Sequence, residues 1–215
     1  MNFEQARFNM VEQQIRPWDV LDPKILDLFM STPRHEFVAE SQQALAYSDI
    51  ELPIGEDQSM LPPRVEARLL QALDPAEDET VLEIGTGSGY TTALLAKAAK
   101  SVTTVELFPS LQETAQQRLT EFDNITFKQG DASQGWDDGQ TYDVIFLTGA
   151  LAELPDSYKQ QLNLGGRLVA IQGEKPTMTA EVLTRISDTE WETEVLFETV
   201  LPYLVNAEPK SHFSL

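Results

Sequence analysis

The ten residues VLEIGTGSGY, Val81 to Tyr90, limit what this chain can fold into more than any other stretch. An apolar run enters a turn carrying Gly85, Gly87 and Gly89, and the chain leaves it as YTTALLAKAA, a helix-forming segment. Glycines there allow left-handed backbone angles and close approach of a ligand to the N–H groups at a helix N-terminus. Alone, a G-x-G-x-G turn is a weak signal, because tight packing of strand on helix calls for the same residues. Its surroundings strengthen it. ETVLEIG, KSVTTVE, NITFKQG, YDVIFLT and GGRLVAIQG are short β-prone runs; YTTALLAKAA and PSLQETAQQRLTEF separate the first three, and LPDSYKQQL the last two. Strands alternating with helices predict an α/β fold, a doubly wound, Rossmann-like and mostly parallel sheet. Two more β-rich runs in EVLTRISDTEWETEVLFETVLPYLV are expected to add antiparallel edge strands.

The first sixty residues read differently. FEQARFNMVEQQI places Phe3, Ala6, Met10 and Val11 on one helical face, and this helix should stop at Arg16-Pro17. Asp22 before Pro23 reads as an N-cap followed by proline at the first helical position, with Ile25, Leu28 and Phe29 turned inward. PRHEFV and ALAYSDIELPIG read as turns and an extended piece, and PPRVEARLLQAL restarts a helix near Pro63. The expected organisation is an N-terminal helical cap with a substrate loop over residues 1–62 and a cofactor-binding core over 63–215, joined in one compact domain.

Two acids stand where a nucleotide fold uses them. Glu106 closes the second strand about twenty residues after Gly85, a position from which a carboxylate accepts hydrogen bonds from both ribose hydroxyls. Asp131, in QGDAS, follows the third strand and suits an amino group such as adenine N6. A dinucleotide oxidoreductase would place its third glycine where this chain has Tyr90. The form Glu83-x-Gly-x-Gly-x-Gly instead resembles motif I of the class I S-adenosylmethionine methyltransferases. That resemblance implies S-adenosylmethionine as cofactor, held by Glu83, Gly85, Thr86, Gly87 and Gly89, by Glu106 and Leu107, and by Asp131 and Ala132. Thr148, at the end of the fourth strand, joins this set at the edge facing the substrate.

The flanks narrow the likeness. MVEQQIRPWDVLDPKIL, PRHEFV, AYSDIELPIG, VLEIGTGSGYTTALLA, GDASQGW, YDVIFLTGA and LNLGGRLVAIQG resemble, in order, the landmarks of protein-L-isoaspartate O-methyltransferases. The likeness runs from about residue 10 to residue 173 and weakens in the tail. It implies methylation of the free α-carboxylate of isoaspartyl residues in damaged proteins or peptides, a step in protein repair. Family loops usually read PIGxGQTIS; here Asp57 stands for the second glycine, Ser59 for the threonine and Leu61 for the last serine. Gln58, Ser59 and Leu61 are therefore the residues expected at the methyl acceptor. Asp57 can keep the turn, since Asp tolerates left-handed angles, whereas Leu61 donates no hydrogen bond. Glu56 and Asp57 are expected to face water.

Composition sets limits on partners. With 35 acidic against 15 basic residues the formal charge is −20, which repels phosphate backbones and argues against nucleic acid. An RNA methyltransferase on the same scaffold is disfavoured for this reason. No apolar run is long enough for a membrane span, and the absence of cysteine fits a cytoplasmic protein. A monomer without metal is expected. His35 is expected to be packed rather than a catalytic base, and Trp18 and Trp136 to be core or lid aromatics. The alternative to the enzyme is an S-adenosylmethionine-binding relative with lost or redirected activity that works on another acceptor or through a partner protein.

Overall fold

Apolar spacing decides the N-terminal helices of the computed structural model, which describes residues 1–209; the last six residues of the expected core lie outside the described residues. Helix α1 (Phe3–Met10) is capped by Asn2, whose side chain accepts the Gln5 N–H. It does not run on regularly to Pro17. The chain widens into a π-turn over Val11–Ile15 and then tightens into a 3-10 turn over Arg16–Trp18. In a regular helix Ile15 would point about 140° away from Met10, whereas a π-turn brings i and i+5 together. Met10, Val11 and Ile15 are all buried as a result. Phe3 and Ala6 pack against the same core, as their spacing predicts.

Helix α2 (Pro23–Ser31) starts as read from the sequence: Asp22 accepts the Lys24 N–H, and Ile25, Leu28 and Phe29 are buried. Short 3-10 turns cover Arg34–Phe37 and Glu40–Leu45. Strands β1 (Leu52–Gly55) and β2 (Gln58–Met60) then form an antiparallel hairpin. Glu56 and Asp57 make its turn, both left-handed at φ 52° and 56°. Helix α3 (Pro63–Leu73) carries Pro63 at its first position and buries Val65, Leu69, Leu70 and Leu73.

The remaining elements alternate: β3 (Thr80–Ile84), α4 (Tyr90–Ala98), β4 (Ser101–Glu106), α5 (Pro109–Arg118), β5 (Ile125–Gln129), β6 (Tyr142–Leu151), α6 (Asp156–Gln160), β7 (Leu162–Glu174), β8 (Thr177–Arg185) and β9 (Trp191–Thr199). Helix α5 stops before the expected Phe122, because the Phe122 N–H closes a turn on the Leu119 carbonyl. The seven-stranded sheet has the order β5-β4-β3-β6-β7-β8-β9. Its first five strands are parallel, and β8 and β9 return antiparallel along one edge. Winding reverses between β3 and β6, which places a ligand crevice beyond the carboxyl ends of those strands.

Side chains alternate across the sheet and give it two cores. Val81, Val144, Phe146 and Val169 face the side covered by α1 to α4. Leu82, Ile145, Leu147 and Leu168 face the other, where Tyr158 of α6 packs. The cap thus shares a continuous core with one face of the sheet.

The hairpin turn yields a stability prediction. Adjacent left-handed residues favour Asn-Gly, so Asp57→Gly should stabilise the fold by about 0.5–1 kcal/mol and raise Tm by roughly 1–3 °C. Thermal unfolding with and without the change measures it; a lower Tm would contradict the turn described.

Candidate active site

At the point where winding reverses, the β3 strand ends and the glycine turn begins. Gly85, Gly87 and Gly89 have φ of 93°, 53° and 86°, angles that a side chain would strain. The N–H groups of Gly85 and Thr86 bond the Val105 carbonyl and so tie the turn to β4. At Gly85 an added Cβ would lie 2.2 Å from the Thr148 hydroxyl oxygen. That hydroxyl lies 2.8 Å from the Ile84 carbonyl oxygen and 2.9 Å from that of Gly85, so it braces the turn from β6.

Glu106 ends β4 with its side chain drawn inward. Its Oε2 accepts the Gly87 N–H at 2.8 Å and its Oε1 the Phe108 N–H at 2.9 Å. Each carboxylate oxygen keeps a lone pair for a further donor, which is what a vicinal diol needs. Asp131, past β5, accepts the Ser133 N–H on Oδ1 and the Asn206 amide on Oδ2. Partial burial opposes its ionisation, but the hydrogen bonds from Ser133 and Asn206 outweigh burial and hold this carboxyl below the usual range.

A cleft open to solvent joins these groups. It brings together Gln58, Ser59 and Leu61 of the hairpin segment with Gly85, Gly87, Glu106, Leu107, Asp131, Ala132 and Thr148. Val105, Phe108 and Leu111 supply apolar walls against which a flat ring can stack. Three predicted residues lie elsewhere. Thr86 borders a smaller cavity beneath the hairpin, and Gly89 packs against Ala115 and Leu119 of the α5 end. Glu83 lies fully buried under the turn, where its Oε2 accepts the hydroxyls of Thr92 and Thr104, each at 2.6 Å. Burial pushes its carboxyl up to about 8, against the pull of those two hydroxyls. Its Oε1 has no hydrogen-bond partner among the described residues.

Glu56 and Asp57 are exposed, and the Glu56 carboxylate accepts the Ser110 hydroxyl on α5, tying the hairpin tip to the core. His35 stacks on Phe3 at 3.9 Å and pairs through Nδ1 with the Tyr47 hydroxyl, as expected of a packed imidazole. Trp18 lies under the Arg64 guanidinium and Trp136 covers Gly130. Among the described residues no group of three or more His, Asp or Glu side chains is placed to hold a metal ion.

Sequence reading missed one wall. Leu201 to Val205 line the cleft as a strap, held by Ala150 through bonds to the Pro202 carbonyl and from the Leu204 N–H. A proline inside an apolar run after the last strand, LPYLV, was the available signal. It also missed Arg34 and Glu66. Glu66 falls at i, i+3, i+4 and i+7 with Leu69, Leu70 and Leu73 on the buried face of α3, a legible sign of a carboxylate needing a partner.

The family profile of "Protein-L-isoaspartate(D-aspartate) O-methyltransferase (PCMT)" matches residues 5–208. A protein-L-isoaspartate O-methyltransferase of Syntrophus aciditrophicus is 39% identical over 188 residues, 86% of each chain. One from Geobacter metallireducens is 40% identical over 192 residues, 88% of each chain. A solved protein-L-isoaspartate O-methyltransferase superposes with a TM-score of 0.80 at 26% identity, covering 92% of this chain; this chain spans 65% of that one. A Plasmodium falciparum structure in complex with S-adenosyl-L-homocysteine shares the fold, with a TM-score of 0.78 over 95% of this chain and 98% of its own.

Glu83 sets a pH dependence. Its carboxyl titrates near 8 in the fold and near 4.5 when unfolded, so the native state holds the extra proton between those values. The stability this gives is complete below pH 4.5 and is lost as pH rises through 8. Glu83→Gln keeps a neutral side chain, so its unfolding free energy relative to wild type should improve steadily from pH 5 to pH 8.5. Denaturant titrations across that range test this, and a constant difference would refute it.

Proposed function

Because this chain belongs to the protein-L-isoaspartate(D-aspartate) O-methyltransferase family, we propose that it methylates the α-carboxylate of L-isoaspartyl residues in damaged proteins and peptides. The observation that carries the reading is that one cleft joins the hairpin lip to the carboxylates of Glu106 and Asp131. The residues fit the cofactor. Glu106 offers lone pairs to the ribose hydroxyls, Asp131 to the adenine amino group, and the Gly85–Gly87 backbone leaves room for the amino-acid end. S-adenosylmethionine supplies a methyl group on a positively charged sulfur.

What the chain's own residues must do is modest. The acceptor carboxylate is already ionised at neutral pH, so the transfer needs no general base. Ser59 presents a hydroxyl and Gln58 an amide, whose Nε2 donates to the Glu56 carbonyl within the turn. Leu61 presents a methyl surface. The lip residues exclude water and orient the acceptor, which is where most of the rate gain of a bimolecular displacement lies. The cap over residues 1–62 works as the acceptor side of the enzyme. We take the protein to act as a monomer, and a cysteine-free chain suits the cytoplasm. Its charge of −20 favours protein substrates over nucleic acid.

The decisive assay incubates pure protein with labelled S-adenosylmethionine and an isoaspartyl peptide, with the aspartyl peptide as control. Base-labile methyl ester on the isoaspartyl peptide alone is expected; none above background moves the reading to a redirected acceptor. Glu106→Ala should weaken S-adenosylhomocysteine binding by about 1.5–3 kcal/mol in calorimetry, while tight NAD binding by the wild type would overturn the cofactor assignment. Leu61→Ser restores a donor at the lip and should raise isoaspartyl turnover about ten- to a hundredfold with cofactor affinity nearly unchanged. Because Leu61 is buried, the gain comes with a Tm lowered by several degrees.

A further inference from the structure

A charge lies buried directly behind the lip. Arg34, in the 3-10 turn after α2, is fully buried, as is Glu66 on α3. The Arg34 Nη1 donates to Glu66 Oε2 at 2.8 Å, and its Nη2 donates to the Leu61 carbonyl at 2.6 Å. The other carboxylate oxygen of Glu66 accepts the Thr91 hydroxyl at 2.5 Å, in the first turn of the helix that leaves the glycine loop. The guanidinium also sits 4.8 Å over the Tyr90 ring. A small cavity under the lip is lined by Ser59, Leu61, Glu66, Ser88, Thr91 and Thr148, so the carboxylate borders the space where acceptor and cofactor loop meet.

We propose that Arg34 is a positioning residue for methyl transfer, which fixes the backbone of the lip at Leu61 at a set height above the glycine loop through Glu66 and Thr91. The inference rests on the acceptor site proposed above. Three physical points carry it. A planar guanidinium donates in fixed directions, so one rigid fork holds two partners from different segments at once. Burying this pair is poor economy for stability, because apolar side chains of similar volume do as well or better, and the Arg34 Nε has no partner among the described residues. And the chain of contacts ends on the two segments whose separation sets the line of attack. Losing about 1 Å of that alignment typically costs on the order of a hundredfold in rate.

The test uses the full chain with two changes, Arg34→Met together with Glu66→Met, so that no buried charge is left alone. The double variant should melt at or above the wild-type temperature and bind S-adenosylhomocysteine within about twofold, yet show kcat on the isoaspartyl peptide reduced about ten- to a hundredfold with KM much less affected. Amide hydrogen exchange should quicken at Gln58 to Leu61 while β3 and β6 stay protected. Wild-type kcat, or a loss of kcat matched by an equal loss of S-adenosylhomocysteine affinity, overturns the proposal. Should the double variant not fold, Arg34→Lys decides on the same readouts, since it keeps the charge beside Glu66 without the fork; wild-type kcat there overturns the proposal equally. If the wild type itself does not methylate the peptide, the acceptor reading fails, and the exchange measurement still decides the positioning: unchanged exchange at the lip refutes it, and faster exchange supports it.

Discussion

The ion pair between Arg34 and Glu66 is the interaction on which the arrangement of segments depends. Both groups are out of water, and removing one partner of such a pair costs about 3–5 kcal/mol. Against a total stability of about 5–15 kcal/mol that penalty for a lone buried charge is large, although the intact pair adds little over apolar side chains of similar volume. The pair joins the turn after α2, the lip, α3 and α4. The cap cannot lift from the core without breaking this pair. Surface pairs such as Arg16 with Glu12 or Lys24 with Asp74 have no such consequence, because water and salt screen them.

The pocket itself is built on a second economy. Glu106 uses its two oxygens to hold the Gly87 and Phe108 N–H groups, and thereby shapes the same turn whose openness it borders. Thr148 does likewise from β6, filling the space that any side chain at position 85 would need. Glycine at these positions therefore serves internal packing as well as ligand access. This explains why a G-x-G-x-G turn by itself says little, and why its meaning here comes from the carboxylate one strand away.

Much of this was legible in the sequence because it depends on short-range rules. Apolar runs alternating with helical segments mark a mostly parallel sheet with antiparallel edge strands, Asp22-Pro23 marks a helix start, and the spacing from Gly85 to Glu106 follows from one turn, one helix and one strand. What escaped depends on partners distant in the chain. The π-turn at Val11–Ile15 exists because Ile15 must reach a core formed by later residues. Arg34 has Glu66 as its partner across 32 positions. Leu201 to Val205 line the cleft only because Ala150 offers an edge to pair with. A sequence read locally shows the demand, as in a glutamate on the apolar face of α3, but not what meets it.

The strap has a consequence in time. A ribosome delivers the chain from its N-terminus, and domains condense as their segments emerge. Since Leu201 to Val205 follow β9, every strand of the sheet exists before that wall of the cleft does. The glycine turn and both carboxylates are in place earlier, yet stand open on one side. The strap is thus the last wall of the cleft to be made, and the cleft is assembled in order from the hairpin and the glycine turn outward to that strap.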